Sequence, residues 1–295
     1  MIIDKLMLKR GLVVYLILAF GLAWAAQIAL VVLMRSGAQV GSLPGSSLVS
    51  AAALMWPPTV GALVSRQFIE GHNFSDAGLR WPRWGYVLFA WFLPALLMLA
   101  ALVISLPVYH LDTSLTVLRR LDPASPETAL AIQVAEALTV AIPINAIFAF
   151  GEEFGWRGYL LPRLQQLLGY WPGLLGHGAI WGLWHAPLIV LAGYEYPRHH
   201  YLGVPLFIVF AALAGTILGW LRLETDSIVP STIVHAGVNA IGGLPLVLLG
   251  SFDTAIGGVM FSLLGFIVLL AFIAYLIVSH RLPQPRMALG RERNA

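Results

Sequence analysis

Two adjacent carboxylates, Glu152 and Glu153, follow a stretch of residues, 128–151, whose only charged side chain is Glu136. Ionisable groups at or near a bilayer core are costly and commonly functional, although a helix end with solvated charges is the alternative interpretation. In a continuing helix, consecutive side chains point about 100° apart, so the two carboxylates face different neighbours. Glu153 can pair with Arg157 at the i, i+4 spacing, which leaves Glu152 free for chemistry.

Two histidines and an asparagine are the other polar side chains that stand out in apolar stretches. His185 follows Trp181 by four residues, and His235 precedes Asn239 by the same interval. This interval places the members of each pair on one helix face. Taken singly, each polar side chain could instead join neighbouring helices by a hydrogen bond.

Two chemistries are open to this set of side chains. In the first, Glu152 and His185 activate a water molecule, while His235 and Asn239 donate hydrogen bonds to the oxyanion formed on an attacked carbonyl. In the second, Glu152, His185 and His235 hold a metal ion that activates the water. The chain contains no cysteine, so a thiolate nucleophile is excluded. It also lacks a His-Glu-x-x-His helix, so residue spacing gives no support for zinc.

The composition is that of a membrane protein. The 295 residues are 59% hydrophobic and 11% charged, whereas a soluble domain carries about 25% charged residues. Mean hydropathy is +0.83 and the sequence pI is about 9.3. Because the basic residues are scattered over short loops, we predict no nucleic-acid partner and attribute them to orientation in the membrane.

Long apolar segments predict about eight transmembrane helices in an all-α polytopic bundle. An amphipathic surface helix is predicted over residues 159–170, and a disordered basic tail over 280–295. Residues 46–65 contain Pro57 and Pro58, which predict a kink. The eight predicted spans are residues 11–34, 46–65, 85–109, 128–151, 172–193, 204–221, 230–250 and 255–279.

An even number of spans puts both termini on one side, and the distribution of basic residues identifies that side as the cytoplasm. With this orientation the outer loops hold four of the 17 Lys and Arg residues, namely Arg35, Arg119, Arg120 and Arg198. We divide the chain into N-terminal helices (1–127), a core with the candidate site (128–250), and a last span with its cytoplasmic tail (251–295). The predicted location is a prokaryotic plasma membrane.

Three motifs occur in order on successive hydrophobic segments and together resemble a known family. They are Glu152-Glu153-x-x-x-Arg157, Trp181-x-x-x-His185 and His235-x-x-x-Asn239. They are similar to the motifs of the CAAX protease and bacteriocin-processing (CPBP) family of intramembrane proteases. This family includes type II prenyl-protein endopeptidases and abortive-infection-like proteins. The resemblance covers residues 128–248 and is strongest over 152–162; it departs at Trp181, where the family usually has phenylalanine.

The resemblance implies an intramembrane endopeptidase that cleaves a membrane-associated protein or peptide, prenylated in some relatives, near the cytoplasmic face. Glu152 and His185 would then activate water, and His235 and Asn239 would form the oxyanion site. Glu153, Arg157 and Trp181 would give structural support. We favour a mechanism without a cofactor, with zinc as the alternative.

Two functions of other classes fit the same composition. One is a non-catalytic membrane protein on this scaffold, with a bacteriocin-immunity or partner-binding role. The other is a transporter whose acids and histidines relay protons. A transporter is expected to contain an internal repeat, and the sequence shows none, so this function ranks last.

Overall fold

The computed structural model describes residues 5–37, 46–121 and 124–282, and its regular elements there are helical. Most of the predicted tail, residues 283–295, lies outside these ranges. Two short π-helical segments, Ser65–Glu70 and Trp156–Leu160, interrupt the α-helices. The α-helices are α1 Lys5–Arg35, α2 Ser46–Met55, α3 Pro57–Val64, α4 Trp84–Ser105, α5 Thr116–Leu121, α6 Pro126–Leu138, α7 Ala141–Gly155, α8 Leu161–Leu168, α9 Tyr170–Trp184, α10 Ala186–Ala192, α11 His200–Thr225, α12 Val229–Ile241, α13 Leu244–Leu248 and α14 Leu263–Val278.

The prediction of an all-α membrane bundle is confirmed. Within the described ranges, five helical segments are long and apolar enough to cross a membrane: Lys5–Arg35, Trp84–Ser105, Tyr170–Ala192, His200–Thr225 and Val229–Leu248. A sixth arises if α6 is joined to Ala141–Leu168, from which it is bent by 43°. The predicted number of eight is not confirmed.

The two remaining predicted spans are shorter or broken as helices. The predicted kink occurs where α2 ends and Pro57 and Pro58 open α3, because proline starts a helix well and cannot continue one. The last helix, α14, has 16 residues, since it begins at Leu263 and not at the predicted residue 255. The Ser262 hydroxyl caps it by accepting from the Gly265 amide at 3.0 Å.

The helix that carries the paired carboxylates continues through the π segment into α8, and α9 then folds back along α8. At Gly173 a Cβ atom would lie 2.7 Å from the Cα of Gln165, so glycine permits this close approach. The prediction of a surface helix over 159–170 is wrong for its first half, because Tyr159 and Leu161 are fully buried.

A cluster of ion pairs, here the basal cluster, closes the end of the bundle where α4 begins and α11 ends. Arg66 and Arg163 are buried, and both bind the Asp76 carboxylate, Arg163 at 2.9 Å. Arg163 also binds Glu70 at 2.7 Å, and the Tyr159 hydroxyl donates to Glu70 at 2.6 Å. Burial acts to raise the pKa of Asp76, but the two guanidinium groups outweigh it and hold that pKa below its ordinary value.

Candidate active site

Glu152 is a buried carboxylate held by two tryptophans. Its side chain is 2% exposed, and its Oε2 accepts hydrogen bonds from Trp181 Nε1 at 2.7 Å and Trp156 Nε1 at 3.3 Å. Trp156 lies one helical turn after Glu152, and Trp181 comes from α9. Hydrogen bonds to one oxygen stabilise the ionised carboxylate and fix its orientation. No hydrogen bond within the described ranges engages Oε1, which can therefore accept a proton.

Trp181 connects the candidate residues to one another. Besides its bond to Glu152, its ring makes edge contacts with His185 at 5.9 Å and His235 at 5.3 Å between ring centroids. The guanidinium of Arg157 lies 4.4 Å from the same ring centroid, a favourable cation–π geometry. A phenylalanine at this position could not donate the bond to Glu152. The departure from the family motif therefore adds a specific interaction with the candidate catalytic acid.

Glu153 faces away from Glu152, as the helical period predicts, and joins two basic side chains. Its Oε1 accepts from Arg157 Nη1 at 2.6 Å and from His235 Nδ1 at 2.8 Å. All three side chains are at most 6% exposed. The pairing with Arg157 follows from the i, i+4 spacing, and the pairing with His235 joins α7 to α12. Because breaking a buried ion pair is strongly destabilising, this triad fixes the position of His235.

The positions of His235 and Asn239 depend on a close contact between α12 and α4. A Cβ atom at Gly237 would lie 2.6 Å from Pro94 Cγ, so only glycine fits there. Pro230 lies in the first turn of α12, where proline is well tolerated. Asn239 is exposed and lies one turn after His235 on the same face, and its side chain makes no hydrogen bond to the described residues. Its amide can therefore serve a ligand.

His185 occupies the break between α9 and α10, where Pro187 prevents a continuous helix. Its Nδ1 must donate to the Trp181 carbonyl at 3.0 Å, because a carbonyl oxygen only accepts, so Nε2 of the neutral ring is an acceptor. The Trp184 carbonyl at this break accepts from Trp24 Nε1 and Gln27 Nε2 of α1, each at 3.1 Å. These hydrogen bonds satisfy the carbonyl group at the break and fix the position of His185.

A cavity of about 360 Å³ lies against these residues. Apolar and aromatic side chains, among them Met98, Phe207 and Phe261, form most of its wall. Its polar lining side chains are Trp181, His185, Tyr194, Glu195, His235 and Asn239. Glu152 does not itself line the cavity, but Trp181, which donates to it, does.

The cavity opens towards the end of the bundle opposite the basal cluster. Its rim includes the exposed Tyr194 and Leu246, which follow the C-terminal ends of α10 and α12. With the predicted orientation this is the outer end. The expectation that substrate meets the site near the cytoplasmic face depends on that orientation and stays a prediction.

The sequence predicts only a short outer loop at residues 193–199, but two of its residues, Tyr194 and Glu195, line the cavity. Tyr194 stacks parallel to His185, with ring centroids 6.2 Å apart. Burial raises the pKa of Glu195 to about 7, and the Glu195 carboxylate in turn raises the pKa of Tyr194. Perturbed titratable groups in a cavity are a recognised sign of a functional site. No periodic pattern in the sequence pointed to them.

The described side chains do not present a set of metal ligands. No group of three His, Asp or Glu side chains converges there as a binding site. In particular, Glu152, His185 and His235, the alternative zinc ligands, do not meet at one point, and no hydrogen bond joins Glu152 to His185. The geometry therefore does not fit zinc held by these three residues, and we derive no step through a metal.

The comparison with known proteins covers the part of the chain that holds the site. Residues 134–241 match a family model described as type II CAAX prenyl endopeptidase, Rce1-like. CAAX prenyl protease 2 of Methanococcus maripaludis is 33% identical over 93 residues, which make up 30% of this chain and 34% of that protein. The chain thus matches about a third of that relative's length. The resemblance seen in the motifs is confirmed over this segment.

Proposed function

We infer, from the match of residues 134–241 to the Rce1-like family model of type II CAAX prenyl endopeptidases, that this chain is an intramembrane endopeptidase. Its substrate is a membrane-associated protein or peptide that places a peptide bond in the cavity beside His185 and His235. The single observation that carries this proposal is the buried Glu152 carboxylate. Tryptophan donors fix one of its oxygens, while the other remains able to take a proton beside a histidine-lined cavity.

The proposed reaction is direct attack of water on the scissile carbonyl carbon. Glu152 and His185 orient the water and take its proton as the new C–O bond forms, and the carbonyl π electrons move to oxygen. When the tetrahedral intermediate collapses, the C–N bond breaks and the same proton passes to the leaving nitrogen. The products are a carboxylic acid and an amine, so one water is consumed and no oxidant or metal is required.

The role of His235 follows from the charges buried around it. Glu152, Glu153 and Arg157 together carry one net negative charge when ionised. A protonated His235 balances this charge, and buried charges persist where they are balanced. Since Nδ1 is engaged by Glu153, the protonated ring offers Nε2–H as a donor. Together with the free Asn239 amide, this donor can stabilise an oxyanion in the cavity.

The direct test is cleavage of a peptide by the purified full chain in detergent or lipid. We expect hydrolysis of a peptide library to yield paired fragments with a new carboxyl end and a new amino end, as measured by mass spectrometry. Comparing a prenylated peptide with its unmodified twin then tests the substrate class. Faster cleavage of the prenylated twin supports a lipid-modified substrate, and equal rates argue against it. Absence of any cleavage supports the non-catalytic function instead.

Removal of metal ions tests the mechanism separately. We expect cleavage to persist after dialysis against a zinc chelator, because water activation is assigned to Glu152 and His185 alone. The measurement is the initial rate before and after chelation, with added zinc as the reverse control. A rate that disappears with the chelator and returns with zinc contradicts the metal-free mechanism while leaving the peptidase activity intact.

A further inference from the structure

Glu195 is the single acidic side chain among the residues that line the cavity. The wall around it is largely apolar, and no lysine or arginine belongs to the lining. His185 and His235 lie around the Trp181 ring, between α9 and α12. Glu195 lies at the rim, next to the exposed Tyr194. The cavity therefore has two polar regions, an inner one suited to a peptide bond and an outer one with negative charge.

No cation of the protein neutralises this carboxylate. Within the described ranges, Glu195 forms no ion pair with an arginine, lysine or histidine. The half-buried or buried acids Glu70, Asp76 and Glu153 each form one, and the buried Glu152 is held by two indole donors instead. A hydrogen bond with Tyr194 acts to lower the pKa of Glu195, but burial outweighs it. Its pKa of about 7 reflects removal from water without a compensating positive charge. A cationic ligand would supply that charge.

The backbone conformation at Glu195 is strained, and the surrounding residues maintain it. Its φ of 63° lies in the left-handed region, which non-glycine residues adopt only when the surroundings impose it. The Glu195 carbonyl accepts from Thr254 Oγ1 at 2.6 Å, and the Tyr196 hydroxyl donates to the Phe261 carbonyl at 2.5 Å. His199 pairs with Asp253 at 2.7 Å. Three bonds thus fix the loop to residues 253–261, so the carboxylate has a defined position at the rim.

We propose that Glu195 determines specificity by binding a lysine or arginine side chain of the peptide substrate at the cavity rim. This role rests on the proposed peptidase function and adds to it a substrate class. The peptide lies with its scissile bond at the histidines and its apolar part against the aromatic wall. The cation a few residues away meets Glu195 in surroundings of low polarity, where a charged hydrogen bond is strong.

The experiment uses a neutral, fluorescence-quenched peptide in which one lysine is moved a position at a time. Each peptide has a glutamine twin, a control peptide that carries glutamine in place of that lysine. For the wild-type chain we expect the lysine peptide to be preferred about tenfold in kcat/KM at one position, mainly through KM, which corresponds to about 1.4 kcal/mol. In Glu195→Gln the ratio falls to about one, and Glu195→Lys prefers a glutamate peptide at that position. Glu127→Gln, an exposed acid on α6, keeps the wild-type ratio.

A binding measurement keeps this inference separate from the peptidase function. The same peptides are titrated into Glu152→Gln and into the double variant Glu152→Gln, Glu195→Gln, with affinity followed by fluorescence anisotropy. If the wild type cleaves nothing, the peptidase proposal fails, and the binding ratio alone decides the role of Glu195. Lysine and glutamine twins that bind and react equally at every position overturn the inference. So does a lysine preference that survives in Glu195→Gln.

Discussion

Replacing Glu152 with glutamine is expected to lower kcat for peptide cleavage by about 100- to 10,000-fold, the range for removal of a general base. Glutamine has nearly the same shape, and its amide oxygen can still accept from the Trp181 and Trp156 indoles. The fold should therefore persist while the group that takes the proton is lost. The measurement is single-turnover cleavage at saturating peptide, with thermal unfolding followed in the same detergent.

Glu136→Gln is the matched control for this change, because Glu136 is an exposed acid on the neighbouring α6. It should keep its activity within a few-fold of the wild type. A Glu152→Gln variant that unfolds at the wild-type temperature and cleaves at the wild-type rate contradicts the role of Glu152. If both variants lose activity together, the loss reflects a general effect of charge in this half of the protein.

Local spacing in the sequence was sufficient to predict the pair formed by Glu153 and Arg157 and the divergence of Glu152 from Glu153. These features depend on the helical period, and the π-helical segment that begins at Trp156 leaves the i, i+4 pair in place. The break before Pro57 was predictable for a similar reason, because proline acts on its own helix. By contrast, the bond between Glu153 and His235 depends on how α7 and α12 are placed relative to each other. Spacing along the chain carries no information about that placement.

The contacts of Trp181 are an example of what the sequence does not predict. The resemblance implied structural support by Trp181, and the structure places its ring in the cavity wall. The hydrogen bond to Glu152 and the contact with Arg157 require the actual depth of α9, which the α8–α9 hairpin sets. The same holds for Glu195, which an isolated loop sequence presents as a solvated charge. Its position in the cavity wall results from bonds between two loops distant in sequence.

A second large effect is expected for His235→Gln, with a loss of about 100-fold or more in kcat and a small change in KM. Glutamine can still donate to Glu153 through its amide, so α7 and α12 should stay joined. It cannot carry the positive charge that balances the buried carboxylates, nor place a second charged donor in the cavity. Removing one donor to an oxyanion typically costs this much in the transition state and little in the ground state.

His177→Gln separates this effect from the loss of any buried histidine. His177 is fully buried on α9, but its Nδ1 donates to the Leu174 carbonyl and its ring does not line the cavity. If it folds, we expect it to cleave at a rate close to the wild type. Equal losses in the two variants, at equal thermal stability, contradict an oxyanion role. A His235→Gln loss confined to KM assigns that ring to substrate binding, since a group acting only in the transition state leaves KM unchanged.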